Sequence, residues 1–213
     1  MDTLLTRLLD ELYQDGLRYD AAQPDRRQRR RNLEPDAAAL LWLLLHSTAA
    51  RTVVEIGTSN GYSTIWFADA VRDAGGRLVS VDIDAEVQRE AAANLRRAGV
   101  ESVVELWRGD GGDYLRSLPD GSVDLLFLDS ERPDYPGWWE TIHRVLRPGG
   151  TLVVDNATSH AAEVAPFRRL VEAEPGYVCT LVEVGKGEFL AVKPLDDGPD
   201  GTAGQAAAGV PDA

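Results

Sequence analysis

Three kinds of residue or segment are scarce in this chain of 213 residues, and each scarcity closes off a class of protein. The single cysteine, Cys179, excludes an internal disulfide and any cysteine-built metal cluster. It falls in an expected strand and reads as a small apolar residue. Lysine occurs twice, at Lys186 and Lys193, so the positive charge is almost all arginine. Long apolar runs are missing. The most apolar stretch, residues 37–45, is too short to span a bilayer and is flanked like the helix of a soluble protein. No signal peptide is visible, and a cytoplasmic location with no membrane partner is the expectation. The net charge of −13 argues against a general polyanion binder.

What is present is alternation. Leu4, Leu5, Leu8, Leu9 and Leu12 at helical spacing predict an amphipathic first helix. Glu34-Pro35-Asp36 opens a second, with proline early and acid in the first turn. From residue 51 the spacing predicts strands at 52–56, 78–81, 103–107, 123–128 and 151–154. Helices at 63–71, 85–98, 112–118, 135–146 and 163–173 fall between and after them. Arg147-Pro148-Gly149-Gly150 reads as a tight turn, and Gly185-Lys186-Gly187 as a hairpin joining closing strands at 178–184 and 188–192. This order implies an α/β, Rossmann-like, mostly parallel sheet with helices on both faces and a C-terminal antiparallel hairpin. The expected organisation is one domain over residues 1–194, with a helical cap at 1–50 and the α/β core at 51–194. A disordered tail follows at 195–213, where there is little to bury.

Two strands stop on hard oxygen ligands. Residues 123–128 end at Asp129, and residues 151–154 end at Asp155-Asn156. Neighbouring parallel strands deliver their carboxyl ends to the ligand crevice, so two carboxylates and an amide there suit a hard divalent cation such as Mg²⁺. The competing reading is that both aspartates cap the helices that follow. The first strand ends in Glu55-Ile56-Gly57-Thr58-Ser59-Asn60-Gly61-Tyr62-Ser63. Its G-x-x-x-G spacing after an acid is not the G-x-G-x-x-G of dinucleotide sites, which favours a nucleoside ligand without a pyrophosphate. Asp82 ends the second strand, where a carboxylate can accept both ribose hydroxyls, while Asp84 is better placed as a helix cap.

With these residues in view, the segment 32–193 resembles the class I S-adenosylmethionine-dependent O-methyltransferases of the catechol and caffeoyl-CoA type. The motifs are V-V-E-I-G-T-S-N-G-Y-S-T, V-D-I-D, F-L-D-S-E-R-P-D-Y and L-R-P-G-G-T-L-V-V-D-N. The resemblance implies the class I methyltransferase fold. It implies that Glu55, Gly57, Thr58, Ser59 and Ser63 hold the methionine part of S-adenosyl-L-methionine, and that Asp82 takes the ribose. Asp110 and Gly111 would lie by the adenine, and Leu33 would cover the site from the N-terminal segment. Asp129, Asp155 and Asn156 would hold Mg²⁺ or another divalent cation, with Asp129 also near the cofactor. The implied substrate is a small aromatic hydroxyl compound, the implied assembly a homodimer, and Tyr135 would border the acceptor.

One position departs from the family. Three residues after Asp129 the family has a lysine acting as general base, and here stands Arg132. Arginine stays protonated and cannot accept the proton. Three readings follow: a metal alone acidifies the hydroxyl while Arg132 stabilises the phenolate, Glu131 or Asp134 is the base, or efficient catalysis has been lost. Residues 25–31, Asp-Arg-Arg-Gln-Arg-Arg-Arg, gather five of the 22 basic residues. They read first as a solvated face or oligomer contact and second as a patch for an anionic substrate or tRNA. A catalytically weak cofactor-binding partner protein is a further alternative.

Overall fold

The structure, a computed structural model, describes residues 1–25 and 28–195. The expected tail lies outside the described residues from position 196 on, as do Arg26 and Arg27 of the basic run. Five strands run parallel: β1 (Thr52–Ile56), β2 (Arg77–Asp82), β3 (Val104–Arg108), β4 (Val123–Leu128) and β5 (Leu146–Val154). Two more, β6 (Val178–Val182) and β7 (Glu188–Val192), form the closing hairpin, with β7 antiparallel to both β5 and β6. The seven lie in one sheet in the order β3-β2-β1-β4-β5-β7-β6.

Among the described residues seven α-helices cover the sheet: α1 (Thr3–Ala22), α2 (Pro35–Thr48), α3 (Tyr62–Asp73), α4 (Ala85–Ala98), α5 (Gly111–Ser117), α6 (Tyr135–Val145) and α7 (Ala161–Ala173). Consecutive strand residues feed opposite cores. Val53, Leu125, Phe127 and Val153 pack with α1 to α4, whereas Val54, Leu126, Leu128, Leu152 and Val154 pack with α5 to α7. A strand buried on both faces favours apolar residues throughout, and the polar exceptions Glu55 and Ser80 are hydrogen-bonded to each other. Helix starts follow local chemistry. Asp2 accepts from Leu5 N at 2.8 Å, and Asp84 accepts from Glu86 N at 2.8 Å. Among the described residues no helix is long and apolar enough to cross a membrane.

One expectation is corrected. Arg147-Pro148-Gly149-Gly150 is not a turn before β5 but its bulged beginning, with Leu146 already paired to Val123 and the register slipping before Leu125. Pro148 has no N–H to give to the ladder, so the strand bends there instead of ending. The segment is held from its other side, where Gly149 N donates to Lys193 O at 3.0 Å and Lys193 N to Gly150 O at 2.9 Å.

Candidate active site

The chain winds outward from β1 in both directions, through β2 and β3 on one side and β4 and β5 on the other. The carboxyl ends of β1 and β4 therefore flank the crevice where such sheets bind ligands. Hydrogen bonds continue past the strand ends: Gly57 N to Val81 O at 2.8 Å, Asp129 N to Ile56 O at 2.9 Å and Asp155 N to Leu128 O at 3.1 Å. Asp82, Gly57, Asp129 and Asp155 thus form a row along the rim. Gly57 is required here. Its φ is +112°, and a Cβ would fall 2.0 Å from the carbonyl oxygen of Asp129.

Two cavities share this rim. One, of about 310 Å³, is lined by Leu33, Gly57, Thr58, Ser59, Tyr62, Ser63, Asp82, Asp129 and Asn156, with residues 29–32 also on its wall. The other, of about 170 Å³, is lined by Gly57, Asp82, Asp110, Gly111, Glu131, Asp134 and Trp138 among others. Asp82 stands between them, aimed by the loop: Thr58 N and Ser59 N donate to its Oδ2 at 3.0 and 3.2 Å. Asp84 caps α4, as the spacing predicts, which leaves Asp82 to the cavities. Asp110 caps α5, accepting from Asp113 N at 2.9 Å, and lines the smaller cavity. Glu55 is fully buried beneath the floor and lines neither cavity. It accepts from Ser63, Thr64 and Ser80 hydroxyls, and burial drives its pKa up to about 7 against their pull. Its effect on a ligand passes through Ser63.

A strap roofs the larger cavity. Asp20 accepts from Arg30 N at 2.7 Å and Arg31 N at 2.9 Å, and Arg30 O accepts from Ser59 Oγ at 2.8 Å. The Arg30 guanidinium pairs with Glu90 and lies 4.2 Å from the Tyr19 ring centre. Arg29 Nε donates to Gln23 O at 3.1 Å, so these members of the basic run are committed inside the molecule. A still larger cavity, about 800 Å³, opens on the outer side of the strap between Tyr19 and α4.

At the other end of the rim sit the acids. Neither Asp129 nor Asp155 caps a helix; α6 and α7 begin at Asp134 and His160 instead. Asn156, at φ +64°, turns back so that Nδ2 donates to Asp155 Oδ2 and lies 3.3 Å from Asp129 Oδ1. Glu188, from the first residue of β7, is fully buried, and among the described residues no group other than the Asp155 carboxyl is paired with its oxygens. Burial and the Asp129 charge push the pKa of Asp155 up, and burial and the Asp155 charge push that of Glu188 up as well. A proton shared between Glu188 and Asp155 accounts for both. Asp129 is also raised by burial, against Arg31, Lys186 and Arg132.

Three placements went unread in the sequence. Glu188 joins the acid cluster through the β5–β7 pairing; its signal was a carboxylate heading the apolar run Phe189-Leu190-Ala191-Val192. Trp138 walls the smaller cavity while Trp139 enters the core. Lys186 Nζ meets Glu34 Oε1 at 2.7 Å, next to Leu33 of the cavity wall. Tyr135 does not border a cavity: it is fully buried, and its Oη accepts from Ser130 N at 2.6 Å, holding the turn after Asp129. Arg132 is buried too, with Nε 3.1 Å from Glu163 Oε2 and Nη1 3.3 Å from Ser130 O.

Known proteins match this arrangement. The family described as a methyltransferase domain covers residues 54–157. A putative O-methyltransferase of Mycolicibacterium vanbaalenii is 34% identical over 174 residues, 76% of each chain. A catechol O-methyltransferase of Mycobacterium tuberculosis is 35% identical over 156 residues, 67% of this chain and 70% of that one. Among solved structures, the O-methyltransferase from Bacillus cereus in complex with SAH superposes with a TM-score of 0.72 at 26% identity, over 88% of this chain and 90% of that one. The chain belongs to the class I O-methyltransferases, enzymes that take their methyl group from S-adenosylmethionine.

Proposed function

We propose that this enzyme methylates a hydroxyl of a small catechol-like aromatic and needs a divalent cation at Asp129, Asp155 and Asn156. The observation that carries the reading is the acid cluster itself. Asp129 and Asp155 leave neighbouring strand ends at the rim, and Asn156 Nδ2 reaches both carboxylates, while burial raises the pKa values of Asp129, Asp155 and Glu188. Glu188 is fully buried, and among the described residues no group other than the Asp155 carboxyl is paired with its oxygens. Asn156 Nδ2 is the positive pole that now faces both carboxylates, and Ser159 Oγ lies 3.2 Å from Asn156 Oδ1. A hydroxyl can donate or accept, so either end of that amide fits the gap. Among the described residues no three His, Cys, Asp or Glu side chains form a ready cation cage, so the donor set is two carboxylates and an amide. That set suits a hard, oxygen-seeking dication. Bound there, it would supply Lewis-acid polarisation of an acceptor hydroxyl. The catechol O-methyltransferase relative supports the acceptor class.

The chain's own residues do the positioning. Asp82 can accept from a ribose, Trp138 offers a flat apolar wall to an adenine, and Ser63, held by Glu55, faces the aminoacyl end. S-adenosylmethionine supplies a methyl group on a positively charged sulfur. Leu33 and Tyr62, both nearly inaccessible, keep water from that region, and loss of charge in the transfer is favoured where water is excluded. Holding donor and acceptor together contributes several kcal/mol, on the order of that seen for oriented intramolecular reactions. Turnover of a catechol panel with S-adenosylmethionine and Mg²⁺ should stop on chelation and in Asp155→Ala. Activity indifferent to both would remove the metal from the reading.

A further inference from the structure

Leu33 and Asn156 line the larger cavity; Glu34 directly follows Leu33, and Lys186 is hydrogen-bonded to the turn directly after Asn156, so the Glu34–Lys186 pair bridges two segments of the cavity wall. Glu34 acts on Asp129 and Glu188 from the segment before α2, adding to the strand-end acids. An acceptor oxygen that gives up its proton here adds one charge more. The cations that act most on Asp129 are Arg31, Lys186 and Arg132. Arg132 is committed to Glu163 and to the Ser130 carbonyl. Arg31 is exposed on the strap, its backbone pinned by Asp20.

Lys186 is differently built. It sits at the tip of the β6–β7 hairpin, and its carbonyl accepts from Thr158 N at 3.1 Å and Ser159 N at 3.0 Å. Gly185 N donates to Asp36 Oδ2 at 3.2 Å, so the tip is fixed between the start of α2 and the turn that carries Asn156. Gly187, at φ +93°, packs so closely that a Cβ would fall 2.1 Å from Thr158 Oγ1. From this rigid base a flexible stem carries an ammonium to Glu34, 2.7 Å away, with the side chain 35% exposed. Burial alone would lower its pKa, but Glu34, Asp155 and Asp129 more than offset that and keep it charged. An ammonium has three N–H donors, and Glu34 takes one.

We propose that Lys186 is a catalytic residue: its ammonium, steered by Glu34, donates a hydrogen bond to the acceptor oxygen and stabilises it as an oxyanion. This rests on the functional reading above. In the step, the acceptor proton passes to water and the oxygen's electron pair forms the new O–C bond. The electrons of the breaking C–S bond return to sulfur, and the ammonium is unchanged.

The test uses 4-nitrocatechol as acceptor and spectroscopic probe, with S-adenosylmethionine and Mg²⁺, in wild type, Lys186→Met, Lys186→Arg and Glu34→Gln. Lys186→Met should lower kcat on the order of 10²-fold, the scale of losing one oxyanion donor. Its SAH affinity by calorimetry should stay within about twofold, and the phenolate absorbance of bound 4-nitrocatechol should weaken. Lys186→Arg should recover part of both signals, and Glu34→Gln should lower kcat less than Lys186→Met. Wild-type kcat and absorbance in Lys186→Met overturn the proposal, as does a parallel loss of SAH affinity and thermal stability in both Lys186 variants. A wild type that binds SAH but methylates no dihydroxy aromatic overturns the functional reading, and this proposal with it.

Discussion

At Gly57 two strand ends pass too close for any side chain, since a Cβ would fall 2.0 Å from the Asp129 carbonyl oxygen, and Gly57 lines both cavities. Gly57→Ala should lose about 1–3 kcal/mol from backbone strain alone, with more from displacing Asp129. Chemical denaturation reads the stability, and SAH calorimetry should show weakened binding. Glu55 makes a pH-dependent contribution. Its pKa rises from 4.5 in the unfolded chain to about 7 when folded. The stability it adds is therefore full below about pH 4.5 and is lost as pH rises through about 7. The thermal midpoint of metal-free protein should fall across that window, and Glu55→Gln should flatten part of the slope; Asp155, shifted the same way, keeps the rest. Arg132 is held for packing in this geometry. Arg132→Ala should cost about 1–3 kcal/mol of stability. Its kcat should drop far less than that of Lys186→Met, and equal drops in the two variants would return the cationic role to Arg132.

Among elements, the strap over residues 28–33 governs access to the larger cavity, because Asp20 holds it by two backbone N–H groups. Asp20→Ala removes both bonds, each worth about 1 kcal/mol net, and should weaken SAH binding roughly tenfold through faster release. Stopped-flow dissociation measures that rate; an unchanged rate would mean the roof is held elsewhere. The five parallel strands were legible because each carries a cluster of apolar residues closed by a charged or glycine residue, a purely local pattern. Asp82, Asp129 and Asp155 were legible for the same reason, since strand ends announce the rim. Glu188, Lys186 and Trp138 were not. Glu188 matters because β7 lies beside β5, Lys186 because the hairpin tip docks on α2, and Trp138 because α6 packs against Gly111 and Gly112. None of those neighbours is near in sequence. The bulged start of β5 was missed because Arg-Pro-Gly-Gly has turn composition, and only pairing from both sides keeps it in the sheet.

Across the whole molecule, the net charge of −13 should keep polyanions at a distance, and Arg29 and Arg30 are engaged internally. A gel shift with bulk tRNA should show no salt-sensitive binding; a steep salt dependence would restore the nucleic-acid alternative. The strand order has a consequence for synthesis. Gly57, Asp82, Asp110 and Asp129 all precede the second half of the sheet, and β3-β2-β1-β4 is already a contiguous set of neighbours. Chains emerge N-terminus first at about 5–20 residues per second. The nucleoside half of the site can therefore be laid down on the ribosome while Asp155, Lys186 and Glu188 are still untranslated. Glu34 waits longest, since its partner Lys186 is among the last described residues to appear. The residues proposed to hold the methyl donor are thus translated before those proposed to act on the acceptor.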